Sequence, residues 1–149
     1  MIKKILVPID GSETARKALE YAVDLAKQTG SPIILVSVVD KSSFYGIQNI
    51  PYESSQTHLL ETLEDYLRQT SDAYVAEAEE LCRSKGVESQ KIVNAGHPAE
   101  EIIKAAEDMK VDLIVMGSHG KSTLGAALLG SVTMGVIHME TKIPVLVVR

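Results

Sequence analysis

The feature that most constrains this chain is a regular alternation of two hydrophobic periods. Short apolar runs at Ile5 to Ile9, Ile33 to Val39, Val87 to Asn94, Val111 to Met116 and Val145 to Val148 take turns with stretches of helical spacing. The second run is broken only by Ser37. Strands that are apolar on both faces belong in a parallel sheet covered by helices on both sides. The third run carries polar interruptions and is expected nearer a sheet edge. The order βαβαβαβαβ therefore predicts an α/β fold: a five-stranded parallel sheet between helix layers, Rossmann-like. Right-handed crossovers and one reversal of winding leave a crevice at the carboxyl ends of the strands, where ligands bind in such sheets.

Helix boundaries are marked chemically. From Thr14 to Lys27 the apolar residues share one face, Ser12 is the expected N-cap, and Glu13 faces the positive helix end. Gly30 ends that helix, and Pro32 follows. A long helix is expected from His58 to Lys85, stopped by Gly86. Another starts at Pro98, where a missing N–H costs nothing, and a last one spans Ser131 to Met139. Lys41 to Gln56 has no period and is expected to be a long loop, of the kind that is usually functional or disordered.

Composition closes off several alternatives. Lys plus Arg number 15 against 20 Asp plus Glu, a net charge of −5, the wrong sign for a non-specific nucleic-acid binder. An apolar content of 45% argues against disorder. The lone Cys82 excludes an intrachain disulfide framework and a cysteine zinc site, and suits a reducing compartment. The apolar start is short, is broken by Pro8 and does not read as a signal peptide; no run approaches the roughly 18 residues of a membrane helix. The expectation is a cytoplasmic chain whose residues 1–149 form one domain.

The strongest chemical signal is the glycine-rich stretch from Gly117 to Gly130, placed between a strand and a helix. Glycines let a backbone approach a ligand closely, and Ser131 and Thr133 put hydroxyls beside the free N–H groups of a helix start, a natural phosphate site. Gly120-Lys121-Ser122-Thr123 imitates the end of a P-loop, but Val115 stands where that motif needs glycine, and Gly125 and Gly130 interrupt the helix it requires. No dinucleotide fingerprint follows the first strand. His58, His97, His119 and His138 lack metal-ligand spacing.

Gly117, two residues, Gly120, nine residues and Gly130-Ser131 match the nucleotide motif of the universal stress protein family, which the whole chain resembles. Ile5 to Ser12 resembles that family's opening strand and turn, Gly96 to Ile102 its third-helix entry, Asp112 to Gly117 the strand before the loop, and Ile143 to Val148 the closing strand. The resemblance implies an adenine nucleotide alpha hydrolase-like sheet with strand order 3-2-1-4-5 and an ATP-binding stress regulator. It implies that Pro8, Ile9 and Asp10 border the adenosine, with Asp10 accepting from the ribose, that Val38 touches adenine, and that Met116 and Gly117 line the adenosine side. Gly120, Gly130, Ser131, Val132 and Thr133 would hold phosphates through N–H and hydroxyl groups. Mg²⁺ or Mn²⁺ would accompany ATP, and a homodimer would form through Val145 to Val148. That pairing would also cover an otherwise exposed edge.

Plainer readings stand beside these. Asp10 is also an ordinary turn residue, and Ser131 and Thr133 are ordinary helix caps. Lys121 and His119 read as solvated loop residues, Cys82 as a structural thiol, His97 as part of a helix entry. Met134-Gly135 departs from the family and is expected to loosen the first turn of its helix. No catalytic residue is assigned: the glycine loop lacks an arginine, and Asp10 is committed to the ribose. Neither His-x-Gly-His nor Ser-Gly-Gly occurs where related nucleotide hydrolases and transferases carry them. The alternatives to a nucleotide-dependent regulator are a slow, partner-activated ATPase and an interaction module indifferent to nucleotide.

Overall fold

The computed structural model of the protein describes residues 1–44, 54–120 and 129–149. Its strands are β1 (Ile5–Pro8), β2 (Ile33–Asp40), β3 (Ser89–Gly96), β4 (Leu113–Gly117) and β5 (Val145–Val148). The helices between them are α1 (Glu13–Thr29), α2 (Ser54–Ser84), α3 (Pro98–Asp108) and α4 (Ser131–His138), and a 3₁₀ turn, Lys41–Phe44, follows β2. All strand pairs are parallel, in the expected order β3-β2-β1-β4-β5, with the polar-interrupted strand at one edge.

Strand alternation sorts the core into two layers. Ile5, Val7, Ile33 and Leu35 face α1 and α2 and pack with Leu19, Val23, Val75, Ala78 and Cys82. Leu6, Ile34, Val36 and Ile114 face the other way, onto Ile102, Ile103 and Ala106 of α3 and Val136 of α4. Burying each of these aliphatic side chains contributes about 2 kcal/mol. Cys82 lies wholly inside, and burial pushes its thiol pKa up, against a weaker opposing hydrogen bond with Ser89. That is the setting of an inert, structural thiol.

Helix ends follow local chemistry. The Ser12 side chain accepts from the Ala15 N–H, and Gly30 closes α1 in the left-handed region at φ 73°. A Cβ on Gly30 would touch nothing, so conformation rather than space calls for glycine there. α2 begins at Ser54, earlier than the expected His58 and inside the expected loop. Nothing in Ser54 to Thr57 breaks a helix, so an established helix extends beyond its first apolar residue. Residues 45–53 of that expected loop lie outside the described residues.

This topology positions the site. From β1 the chain turns into α1 on one face; from the neighbouring β4 it continues toward α4 on the other. The winding therefore reverses between two adjacent strands, and a crevice opens above their carboxyl ends.

Candidate nucleotide-binding cleft

A cleft of about 470 Å³ occupies this reversal point. Its volume is in the range of small-ligand sites. On the β1 side, Pro8, Ile9 and Asp10 line it. The Ser12 N–H donates to Asp10 Oδ1 at 2.9 Å, a turn that holds the carboxylate beside the start of α1. The other oxygen leans toward the glycine loop: a Cβ on Gly120 would lie 2.6 Å from Asp10 Oδ2. Glycine at 120 thus leaves room for a carboxylate within the cleft. Asp10 is at once the turn residue of the plain reading and a group open to a ligand.

Met116 and Gly117, at the end of β4, also line the cleft. A Cβ on Gly117 would fall 2.6 to 2.8 Å from atoms of Thr14 and Ala15, largely backbone. That glycine lets α1 begin directly against β4. The Thr14 hydroxyl then donates to the His119 carbonyl, tying α1 to the loop. The Ser118 hydroxyl lies 3.0 Å from His119 Nδ1. His119, read as a solvated loop residue, is instead half-buried and lines the cleft. Lys121 and Gly125 lie outside the described residues.

The base of the loop is stitched shut. The Ser118 N–H donates to the Val148 carbonyl at 2.7 Å, and the Ser118 carbonyl accepts from the Gly130 N–H at 2.8 Å. Gly130 is then the N-cap of α4, with φ −73°, ψ 164° and no side-chain cap. The first ladder bond runs from the Met134 N–H to the Gly130 carbonyl. The N–H groups of Ser131, Val132 and Thr133 precede that ladder and form the open first turn. All three residues line the cleft, and a helix start of this kind favours an anion.

Two donors expected to hold phosphate have other uses here. The Gly130 N–H is directed at the Ser118 carbonyl, and Gly130 does not itself line the cleft. Thr133 is only 3% exposed and donates its hydroxyl to the Gly117 carbonyl at 2.9 Å, which leaves its N–H for an anion. The expected loosening at Gly135 does not occur. α4 runs through it to His138, because a Cβ there would lie 2.8 Å from the Ala99 Cβ: glycine permits close packing of α4 on α3.

Val38, near the end of β2, lines the cleft. The outer walls escaped sequence reasoning. Leu67, Thr70, Ser71 and Tyr74 of α2 close one side, and Pro98 and Ile102 of α3 the other. Ser37 contributes from within β2. Its interruption of an apolar run was the available signal. Among the described residues, no group of three or more His, Cys, Asp or Glu could hold a metal ion by itself. No described helix is long and apolar enough to cross a membrane.

Comparison with known proteins agrees with this fold. The model of the universal stress protein family matches residues 1–149. Universal stress protein YxiE of Bacillus subtilis is 36% identical, with 100% of both chains covered. Universal stress protein MJ0577 of Methanocaldococcus jannaschii is 38% identical over 100% of this chain and 96% of its own. The solved structure of MJ0577 superposes with a TM-score of 0.79 at 36% identity, covering 99% of this chain and 96% of that one. A universal stress protein from Archaeoglobus fulgidus, solved in complex with dAMP, shares the fold at 17% identity, with a TM-score of 0.66 over 100% of this chain and 98% of its own.

Proposed function

This chain belongs to the universal stress protein family, and from that premise we propose that it binds ATP in the crevice between β1 and β4 and acts as a cytoplasmic, nucleotide-dependent stress regulator. The observation that carries the reading is the open first turn of α4, whose N–H groups at Ser131, Val132 and Thr133 border the same cleft as the Asp10 carboxylate. Phosphates belong at the helix start and a ribose diol at the carboxylate. The dAMP complex of a protein with this fold supports an adenine nucleotide as the ligand class.

Mg²⁺ or Mn²⁺ fits as an ion brought in by the triphosphate. Such ions keep several waters and take phosphate oxygens as ligands, so the ion needs no dedicated cage of protein carboxylates and Asp10 stays with the ribose. The ion would offset negative charge on a chain that is itself acidic. The β5 edge, whose four residues are half-buried, suits pairing with a second copy of the chain.

Calorimetry on nucleotide-free protein with Mg²⁺ present tests the reading. Saturable binding of ATP is expected; absence of binding up to millimolar ATP overturns it.

A further inference from the structure

Two hydroxyls in the cleft, those of Ser37 and Ser71, have no hydrogen-bond partner among the described residues. Ser37 is 2% exposed and Ser71 6% exposed, yet neither side chain hydrogen-bonds another described residue. Among the described residues, no sealed side-chain polar atom is unpartnered. Both hydroxyls therefore reach open space, and the space they share is the cleft. Open to the cleft, each hydroxyl can be met by water, and a ligand group that reproduces that hydrogen bond can take the water's place.

Their placement is specific. Alternation along β2 puts Ser37 on the side of Ile33 and Leu35, which face α1 and α2. Ser71 heads the stripe that continues through Val75, Ala78 and Cys82, the sheet-facing side of α2. α2 packs over β2 and β3. The open helix start lies beyond β4, at the other end of the cleft. From β4 across β1 to β2 is two strand spacings, about 10 Å, enough to carry a nucleotide from its α-phosphate past the ribose to its base.

We propose that Ser37 and Ser71 form a polar wall that hydrogen-bonds the base of the bound nucleotide. This rests on the reading of the cleft as an ATP site. A hydroxyl donates and accepts, so it can meet either a ring nitrogen or an exocyclic amine.

The test measures ATP and inorganic tripolyphosphate binding to the wild type, Ser37→Ala, Ser71→Ala and the double variant, with ligand-free melting temperatures alongside. Each single change should weaken ATP about five- to tenfold while leaving tripolyphosphate affinity unchanged. The ligand-free melting temperature should hold or rise, because the hydroxyl removed has no partner among the described residues. Unchanged ATP affinity overturns the proposal, as does equal weakening of tripolyphosphate. Should Ser37→Ala fold poorly, Ser71→Ala carries the test, since alanine is the better helix former. Failure of the wild type to bind ATP would instead remove the underlying reading, and is distinguishable because it appears before any variant is made.

Discussion

Two helices begin at the cleft with nearly the same backbone entry and opposite chemistry. The α1 cap, Ser12, has φ −76° and ψ 160°; the α4 cap, Gly130, has φ −73° and ψ 164°. At α1 the Ser12 hydroxyl accepts from Ala15, and the Ser12 N–H is taken by Asp10. At α4 there is no cap side chain, and the first-turn N–H groups stay open. One helix start is capped from within the chain, and the other keeps its first-turn N–H groups open, which is where the proposed reading seats the phosphates. On the proposed reading, function lies less in adding a group than in withholding one.

The largest test of that contrast is Gly130→Asp. Its φ and ψ suit any residue, so the helix should form. The new carboxylate would occupy the first-turn N–H groups and repel phosphate. ATP affinity is expected to fall about a hundredfold while the ligand-free melting temperature holds or rises. Calorimetry and thermal unfolding read the two halves; retained affinity would show that α4 is not the phosphate seat.

Gly120→Ala should act next most strongly. Its Cβ would meet Asp10 Oδ2 at 2.6 Å and turn the carboxylate aside. Because the displaced atom ends a side chain, folding should hardly change, while ATP weakens about tenfold through one lost charged hydrogen bond. A drop in melting temperature without loss of affinity would assign Asp10 to structure alone.

Ser12→Ala should give the smallest change, and in the other observable. Removing the α1 cap costs about 1 kcal/mol, or about 3 °C in melting temperature for a chain of this size. ATP affinity should stay within about twofold, because the lost bond serves the helix. A larger binding loss than stability loss would erase the distinction between the two helix starts.

Sequence reasoning reached the fold because both periods are strong and the punctuation is local: Ser12, Gly30, Gly86 and Pro98 each act within one turn of the chain. The site residues come from the glycine motif and the family it resembles rather than from period or punctuation; Asp10, Gly117 and Ser131 sit at element ends that the topology brings to one cleft. Sequence reasoning did not reach the division of labour among them. Gly117 reads as a ligand-approach glycine, but its space is taken by Thr14 and Ala15, far away in sequence. The Thr133 hydroxyl and Gly130 N–H look free until the fold returns Gly117 and Ser118 to them. Gly135 looks like a weakness until Ala99 is beside it. Each of these depends on a contact between segments, which hydrophobic period does not encode. Ser37 and Ser71 show the same limit: a single polar residue in an apolar run or on a helix face is visible, but what it faces is not.

The central position of β1 has a consequence for how the molecule assembles on the ribosome. Ile5 pairs with Ile33 on one side and with Leu113 on the other. The first strand made can thus gain one neighbour early, but must wait for most of the chain before it gains the second. Such distant pairings delay folding. The switch point between β1 and β4 is consequently absent from every nascent chain that stops short of β4, and the open turn of α4 is added later still. On the proposed reading a phosphate finds no seat until α4 has been made, so any rescue of folding by ligand comes only after β4 and α4 have emerged.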